Sequence, residues 1–88
     1  MRIEKIEVYS DAVNSAVMRH PGRRFPGVLV QGDTLHSFAT RVEEALAVIE
    51  PETDAYYELL YVRDGLVRLR DHYKAVLNEH DIGLPFVE

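Results

Sequence analysis

Cysteine is absent from this sequence of 88 residues. Without cysteine the chain can form neither a disulfide framework nor a cysteine-ligated zinc site. No apolar run approaches the roughly 20 residues that a membrane-spanning helix needs, and no charged segment followed by an apolar one opens the chain as a signal peptide would. We therefore expect a cytoplasmic protein, with residues 1–88 forming a single domain.

Sequence motifs for catalysis and metal binding are also missing. None of the four histidines, His20, His36, His72 and His80, forms the i, i+4 pair of a helical zinc motif. Ser37 lies in no nucleophile elbow, and there is no Walker loop and no dinucleotide-binding glycine fingerprint. We therefore predict a protein that is not an enzyme and that needs no metal ion or cofactor.

Charge is distributed unevenly along the chain. The formal net charge is −5, yet residues 12–32 contain three arginines and no acidic residue, so the rest of the chain carries −8. An acidic body repels the phosphate backbone, which argues against binding to duplex nucleic acid. A small basic segment on that body can nevertheless hold one compact anion.

The first 32 residues carry the pattern of three short strands. Residues 2–9 alternate in polarity with a period of two, and residues 16–20 form a second, weaker strand. Residues 28–30 are a continuous apolar run, which predicts a strand buried on both faces. Turn-forming residues separate the strands. We therefore predict a three-stranded antiparallel sheet over residues 1–32.

Two helices are predicted after the sheet, which makes the fold class α+β. Apolar residues recur at spacings of three and four over residues 33–50, where Asp33 or Thr34 can cap the first helix. The same spacing continues over residues 53–80, the range of a second and longer helix that Thr53 or Asp54 can cap. The pattern thus predicts a helical hairpin, with residues 81–88 as a docked tail.

The long second helix carries more apolar surface than one small domain can cover. We predict that it forms a homo-oligomer through one apolar seam. The predicted interface residues are Leu59, Val62, Leu66, Leu69 and Tyr73. Gly65 lies within this seam, where a glycine costs up to about 1 kcal/mol relative to alanine, so a close helix crossing or a kink is expected there.

Residues 19–34 combine two Pro-Gly pairs with three arginines and a Gln-Gly-Asp turn. Arginine offers a rigid set of donors that suits phosphate, and the face of Phe25 can stack on a base. These properties predict a site for a small anionic, nucleotide-like ligand. The predicted ligand-binding residues are Asn14, Arg19, Arg23, Arg24, Phe25, Gln31 and Asp33. The alternative is a hairpin connection that prolines and glycines shape, with solvated arginines and Asp33 as a helix cap.

The whole chain resembles a family of small uncharacterised bacterial and phage proteins, a domain of unknown function. Four segments carry the resemblance: Asn14, residues 19–27, residues 31–35 and the Leu-Pro-Phe tail at residues 84–86. This resemblance implies no activity. Residues 25–46 also resemble the strand–turn–helix of HicB-type antitoxins, which implies a β-β-β-α order of elements.

These observations lead to two main hypotheses for the function, with a purely structural oligomer as a third. The first is a module that sequesters a small anionic ligand, by analogy with some phage counter-defence proteins. The second is an immunity or antitoxin-type protein that neutralises a protein partner.

Overall fold

The computed structural model describes residues 1–88, the whole of the sequence. Its elements are β1 (Glu7–Ser10), β2 (Ala16–Arg19), β3 (Gly27–Leu29), α1 (Gly32–Val48) and α2 (Asp54–Glu79). The predicted α+β class is confirmed, because a three-stranded antiparallel sheet precedes two packed helices, the second of them long. No helix combines the length and the hydropathy needed to cross a membrane.

The chain divides into two compact units, Met1–Gln31 and Gly32–Glu88. We call them the N-terminal unit and the helical unit. The sheet forms the N-terminal unit, and the two helices with the residues after them form the helical unit.

The first strand is shorter than its sequence pattern predicts. β1 pairs with the central strand β2, which has only four residues, so residues 2–6 have no strand to pair with. Glu7 lies opposite Arg19 and Val8 opposite Met18, and a β-bulge follows between Val8 and Ser10. The length of the neighbouring strand therefore sets the length of β1.

The third strand is not buried, so the prediction of a strand covered on both faces is wrong. Val28 and Leu29 remain 62% and 51% exposed. β3 is an edge strand that pairs only with β2, and no residue of the N-terminal unit is buried. Three strands of three or four residues have no second layer within this unit to enclose their apolar side chains.

Small residues allow the two helices to approach each other. Gly32 begins α1 and is buried, and a Cβ atom added to it would overlap the ring of Tyr73 on α2. Ala39, two turns further on along the same face of α1, is 0% exposed. A larger side chain at Gly32 would displace the Tyr73 ring, and one at Ala39 would have no exposed surface to extend into.

Both ends of α2 have identifiable caps. The Thr53 hydroxyl oxygen accepts a hydrogen bond from the Tyr56 N–H at 3.1 Å, as the sequence predicts for an N-cap. At the other end, the Ile82 N–H donates to the Leu77 carbonyl at 2.9 Å while Asp81 adopts a φ of 56°. This is a Schellman ending, with aspartate in the left-handed position that glycine usually occupies.

The C-terminal tail returns to the helices through Phe86. Its ring stacks on the imidazole of His36, with ring centroids 4.0 Å apart and planes 2° from parallel. It also lies 6.5 Å from the ring of Tyr73. The Lys74 ammonium forms an ion pair with the Glu88 carboxylate, which lowers the pKa of Glu88. The tail thus contacts both helices of its unit.

Candidate functional site

The segment that connects β2 to β3, residues 20–26, forms a constrained turn that we call the arginine loop. The Arg23 N–H donates to the His20 carbonyl at 3.0 Å and so closes a four-residue turn. Pro21 and Gly22 occupy its two central positions, and Gly22 has a φ of +83°. Proline followed by a glycine with positive φ is the arrangement of a type II turn. The turn therefore gives a defined backbone conformation to the part of the loop that leads into Arg23 and Arg24.

Arg23 and Arg24 carry positive charges that no carboxylate in the chain neutralises. Neither side chain takes part in an ion pair or a side-chain hydrogen bond. The Arg24 guanidinium carbon lies 5.3 Å from the centre of the Phe25 ring, within the range of a cation–π interaction. Phe25 itself is 71% exposed. The Arg24 guanidinium thus lies beside an accessible aromatic ring, and Arg23 adds a second unpaired positive charge to the same loop.

Two grooves border the arginine loop. The first has a volume of about 450 Å³ and a largely apolar lining. It is lined by Met18, His20, Arg23, Arg24, Phe25, Gly27, Val28 and Leu29. The second, of about 320 Å³, lies against Lys5, Glu7, Arg19 and residues 20–23. Both grooves include His20 and Arg23, so the loop separates an apolar groove from a polar one.

Arg19 is the predicted ligand residue that already has an acidic partner. Its guanidinium forms an ion pair with the carboxylate of Glu7, directly opposite on β1. This arginine, and then the hydroxyl of Tyr9, lower the pKa of Glu7 below its ordinary value. The same carboxylate raises the pKa of Tyr9. Arg19 is therefore less available to an external anion than Arg23 or Arg24.

The antiparallel topology separates two predicted site residues from the arginine loop. Asn14 lies in the turn between β1 and β2, and Gln31 follows β3. Because Ala16 pairs with Leu29 at that end of the sheet and Met18 with Gly27 at the other, both residues lie at the end remote from the loop. The structure therefore does not bring Asn14 or Gln31 together with the arginines.

Asp33 belongs to the other compact unit, in the first turn of α1. Its carboxylate accepts a hydrogen bond from the Thr34 N–H at 2.9 Å. An acidic residue at this position is favourable because the first turn of a helix carries free N–H groups and a partial positive charge. Asp33 therefore lies inside the first turn of α1, next to the capping position that the sequence offered as the alternative.

His20 is a groove residue that the sequence analysis did not select. Its ring Nδ1 lies 2.8 Å from the Pro21 carbonyl oxygen, and its side chain borders both grooves. Met18 lines the apolar groove as well. Residues two apart in a strand point to the same face, so the Met18–His20 spacing was the available signal.

The five predicted interface residues of α2 do not all have the same environment. Val62 and Leu69 are 46% and 59% exposed. Leu59 and Leu66 are partly exposed, whereas Tyr73 faces Gly32 and Phe86 within the helical unit. The open part of the predicted seam is therefore nearer to Val62 and Leu69 than to Tyr73.

No three histidine, aspartate or glutamate side chains lie close enough together to hold a metal ion. Among known proteins, neither a curated protein nor a solved structure matches the chain significantly. Residues 1–86 match a family described as "Family of unknown function (DUF6959)". Since this match covers nearly the full length, the chain belongs to the DUF6959 family.

Proposed function

We propose that this protein is a non-enzymatic module that binds and sequesters a small anion with an aromatic or apolar portion, such as a nucleotide, at the arginine loop. One observation carries the proposal. The two unpaired guanidinium groups of Arg23 and Arg24 border an apolar groove beside the exposed ring of Phe25.

The arginines supply the anion-binding part of the proposed site. A guanidinium group donates two parallel hydrogen bonds to a phosphate or a carboxylate, and the type II turn restricts the backbone that carries it. A phosphate would supply the negative charge that no carboxylate in the chain places next to Arg23 and Arg24. Binding therefore does not require breaking an existing ion pair, as it would at Arg19.

The groove supplies the apolar part. Its volume of about 450 Å³ falls within the range of about 300–1,000 Å³ that is usual for small-molecule sites. Met18, Val28 and Leu29 line it together with Phe25. A planar base could stack on the Phe25 ring and cover these aliphatic side chains, which gives a nucleotide an advantage over inorganic phosphate.

Isothermal titration calorimetry with matched ligands tests the proposal. The probes are a nucleoside monophosphate, the corresponding nucleoside and inorganic phosphate. We expect the nucleotide to bind more tightly than either of its parts, since only the nucleotide engages both the arginines and the groove. Its affinity should fall with added salt, because part of the attraction is screened.

Substitutions in the loop locate the site. Arg23→Ala and Arg24→Ala should each weaken nucleotide binding by roughly 10- to 150-fold, the equivalent of the 1.5–3 kcal/mol typical of a charge-assisted hydrogen bond. Arg23→Lys should recover only part of the loss, because lysine lacks the planar fork. Arg41→Ala, at an exposed arginine of α1, serves as the control.

Full nucleotide affinity in the folded Arg23→Ala/Arg24→Ala variant would contradict the proposal. Loss of the circular-dichroism signal in that variant would instead show that the arginines are needed for folding. The loop would then be only a structural connection.

The exposure of the sheet supports a second candidate function, in which the protein binds and neutralises a protein partner. Val28, Leu29 and Tyr9 all lie in strands and are more than half exposed, which is unusual for apolar side chains of a sheet. An edge strand such as β3 can also pair with an extended segment of another protein. If this candidate is correct, Val28→Asp should abolish capture of the partner, whereas Arg23→Ala should leave capture intact.

A further inference from the structure

Gly65 lies in the middle of α2, where glycine is unfavourable, and nothing inside the chain explains it. A Cβ atom added at Gly65 would have no neighbouring atom within 4 Å, and its φ is not positive. The contrast with Gly32 is direct, since a Cβ there would overlap Tyr73. Alanine at position 65 would be more favourable in an isolated helix. Packing inside the chain therefore does not require a residue without a side chain at position 65.

An open groove of about 720 Å³ surrounds Gly65, and residues of α2 alone line it. The lining residues are Val62, Gly65, Leu66, Arg68, Leu69 and His72. Leu69 is 59% exposed, and Tyr61, next to the groove, is 80% exposed. An apolar face with a glycine at its centre has the form that another helix needs for a close crossing.

The chain exposes more surface than a compact monomer of its mass. The whole chain exposes 7287 Å². A folded monomer of 10.1 kDa is expected to expose about 5,300 Å², so roughly 2,000 Å² is in excess. Stable homodimers commonly bury about 2,000–5,000 Å² in total, or at least about 1,000 Å² for each subunit. The excess is spread over both units; on α2 it includes the exposed side chains of Tyr61, Val62 and Leu69, and in total it is large enough for such an interface.

We propose that a second copy of this chain docks on the groove, with the two α2 helices crossing in antiparallel directions at Gly65. A two-fold interface requires a surface that is complementary to itself. When the symmetry axis passes through Gly65, a residue that lies a given number of positions after Gly65 in one copy faces the residue that lies the same number of positions before Gly65 in the other copy. The two glycines then meet at the axis.

This symmetry brings together two pairs that are compatible in size or charge, and it places Arg68 opposite Val62, along which the aliphatic part of the arginine can lie. Leu69 faces Tyr61 of the second copy, so two exposed apolar side chains cover each other. His72 faces Glu58 of the second copy, so an imidazole N–H can donate a hydrogen bond to the carboxylate. Each pairing occurs twice because the interface is symmetric. This inference does not depend on ligand binding at the arginine loop.

Cysteine cross-linking tests the geometry, since the natural chain has no cysteine. Two cysteines form a disulfide only when their Cα atoms lie within about 7 Å. Gly65→Cys should therefore give a disulfide-linked dimer under mild oxidation. Asn78→Cys is the control, because position 78 lies about 140° around the helix from position 65 at 100° per residue. It should remain uncross-linked.

Sedimentation velocity tests the interface itself. The wild-type chain should sediment as a dimer at micromolar concentration. Gly65→Glu places two carboxylates at the symmetry axis and should raise the dimer dissociation constant by at least about tenfold. Asn78→Glu adds the same charge elsewhere on α2 and should leave the constant unchanged.

Two results would overturn the proposal. One is a monomeric wild-type chain, which would mean that the groove is not covered by a second copy. The other is a dimer that Gly65→Glu leaves intact and that cross-links as readily through position 78 as through position 65.

Discussion

In the helical unit a glycine and an alanine are buried between packed elements, whereas every residue of the N-terminal unit keeps part of its surface exposed. Gly32 and Ala39 allow α1 and α2 to lie close together, and Phe86 stacks on His36 to attach the tail. The sheet, by contrast, relies on backbone pairing, the type II turn and the surface ion pair between Glu7 and Arg19.

This difference indicates which side chains serve the fold and which remain available for binding. Substitutions at close-packed positions of the helical unit leave a cavity or cause overpacking, and the neighbouring side chains cannot readily rearrange to relieve either. Substitutions at exposed positions of the N-terminal unit alter charge and surface without changing any enclosed contact. We therefore expect large stability effects in the helical unit and small ones in the N-terminal unit.

The largest effect is expected for Gly32→Ala. The added methyl group overlaps the Tyr73 ring, and overpacking of this kind costs about 1–3 kcal/mol in unfolding free energy. Denaturant unfolding followed by circular dichroism measures the loss. Gly83→Ala is the control, since a Cβ at Gly83 has no neighbour within 4 Å. The double variant Gly32→Ala/Tyr73→Leu should regain part of the stability, and its failure to do so would mean that the overlap is not the cause.

A smaller loss is expected for Phe86→Ala. The stacked pair with His36 contributes about 0.5–1.5 kcal/mol beyond the apolar area that Phe86 covers, so the unfolding free energy should fall by about 1–2 kcal/mol. The same denaturant experiment applies. Val87→Ala, at a neighbouring residue that is 91% exposed, should have almost no effect. Equal losses in the two variants would show that the tail is not held through the ring.

The smallest effect is expected at Glu7 in the N-terminal unit. Because Arg19, and then Tyr9, lower the pKa of Glu7 below its ordinary value of 4.5, its ionised form is favoured by folding. Its contribution to stability is therefore present above the ordinary pKa and is lost as the pH falls through the lowered one. An NMR titration should give a Glu7 midpoint below 4.5 that rises in Arg19→Gln. An unchanged midpoint would mean that the ion pair does not form in solution.

The Glu7 carboxylate also raises the pKa of Tyr9, so Glu7→Gln should lower the Tyr9 midpoint in an ultraviolet titration. Since both side chains are exposed, solvent screens their interaction and the change in overall stability should be small. A large loss of stability in Glu7→Gln would contradict the difference between the two units.

Local patterns were sufficient to predict much of the fold. The spacing of apolar residues predicted both helices to within two residues at each end, and Thr53 was one of the two candidates for the cap of the second helix. Helix periodicity and capping are properties of neighbouring residues, so they can be recognised without tertiary information. The positions of β2 and of the Pro-Gly turn were predicted for the same reason.

Strand length and strand burial depended on residues distant in the chain. Residues 2–9 alternate like one long strand, but β2 offers pairing only from Glu7 onward. The apolar run at residues 28–30 resembles a buried strand, yet it forms an edge without a covering layer in its unit. A strand pattern specifies which side chains could be buried, whereas the neighbouring elements decide whether they are.

The sequence by itself determined the α+β order, the limits of the helices and the concentration of positive charge at the arginine loop. Only the tertiary structure decided which of the candidate residues lie together. Antiparallel pairing placed Asn14 and Gln31 at one end of the sheet and the arginine loop at the other, and it gave Arg19 an acidic partner in Glu7. The tertiary structure likewise distinguished Gly32, where an added Cβ would overlap Tyr73, from Gly65, where an added Cβ would have no neighbour. The physical reason is that charge and periodicity belong to the residues themselves, whereas pairing and packing depend on what folding brings beside them.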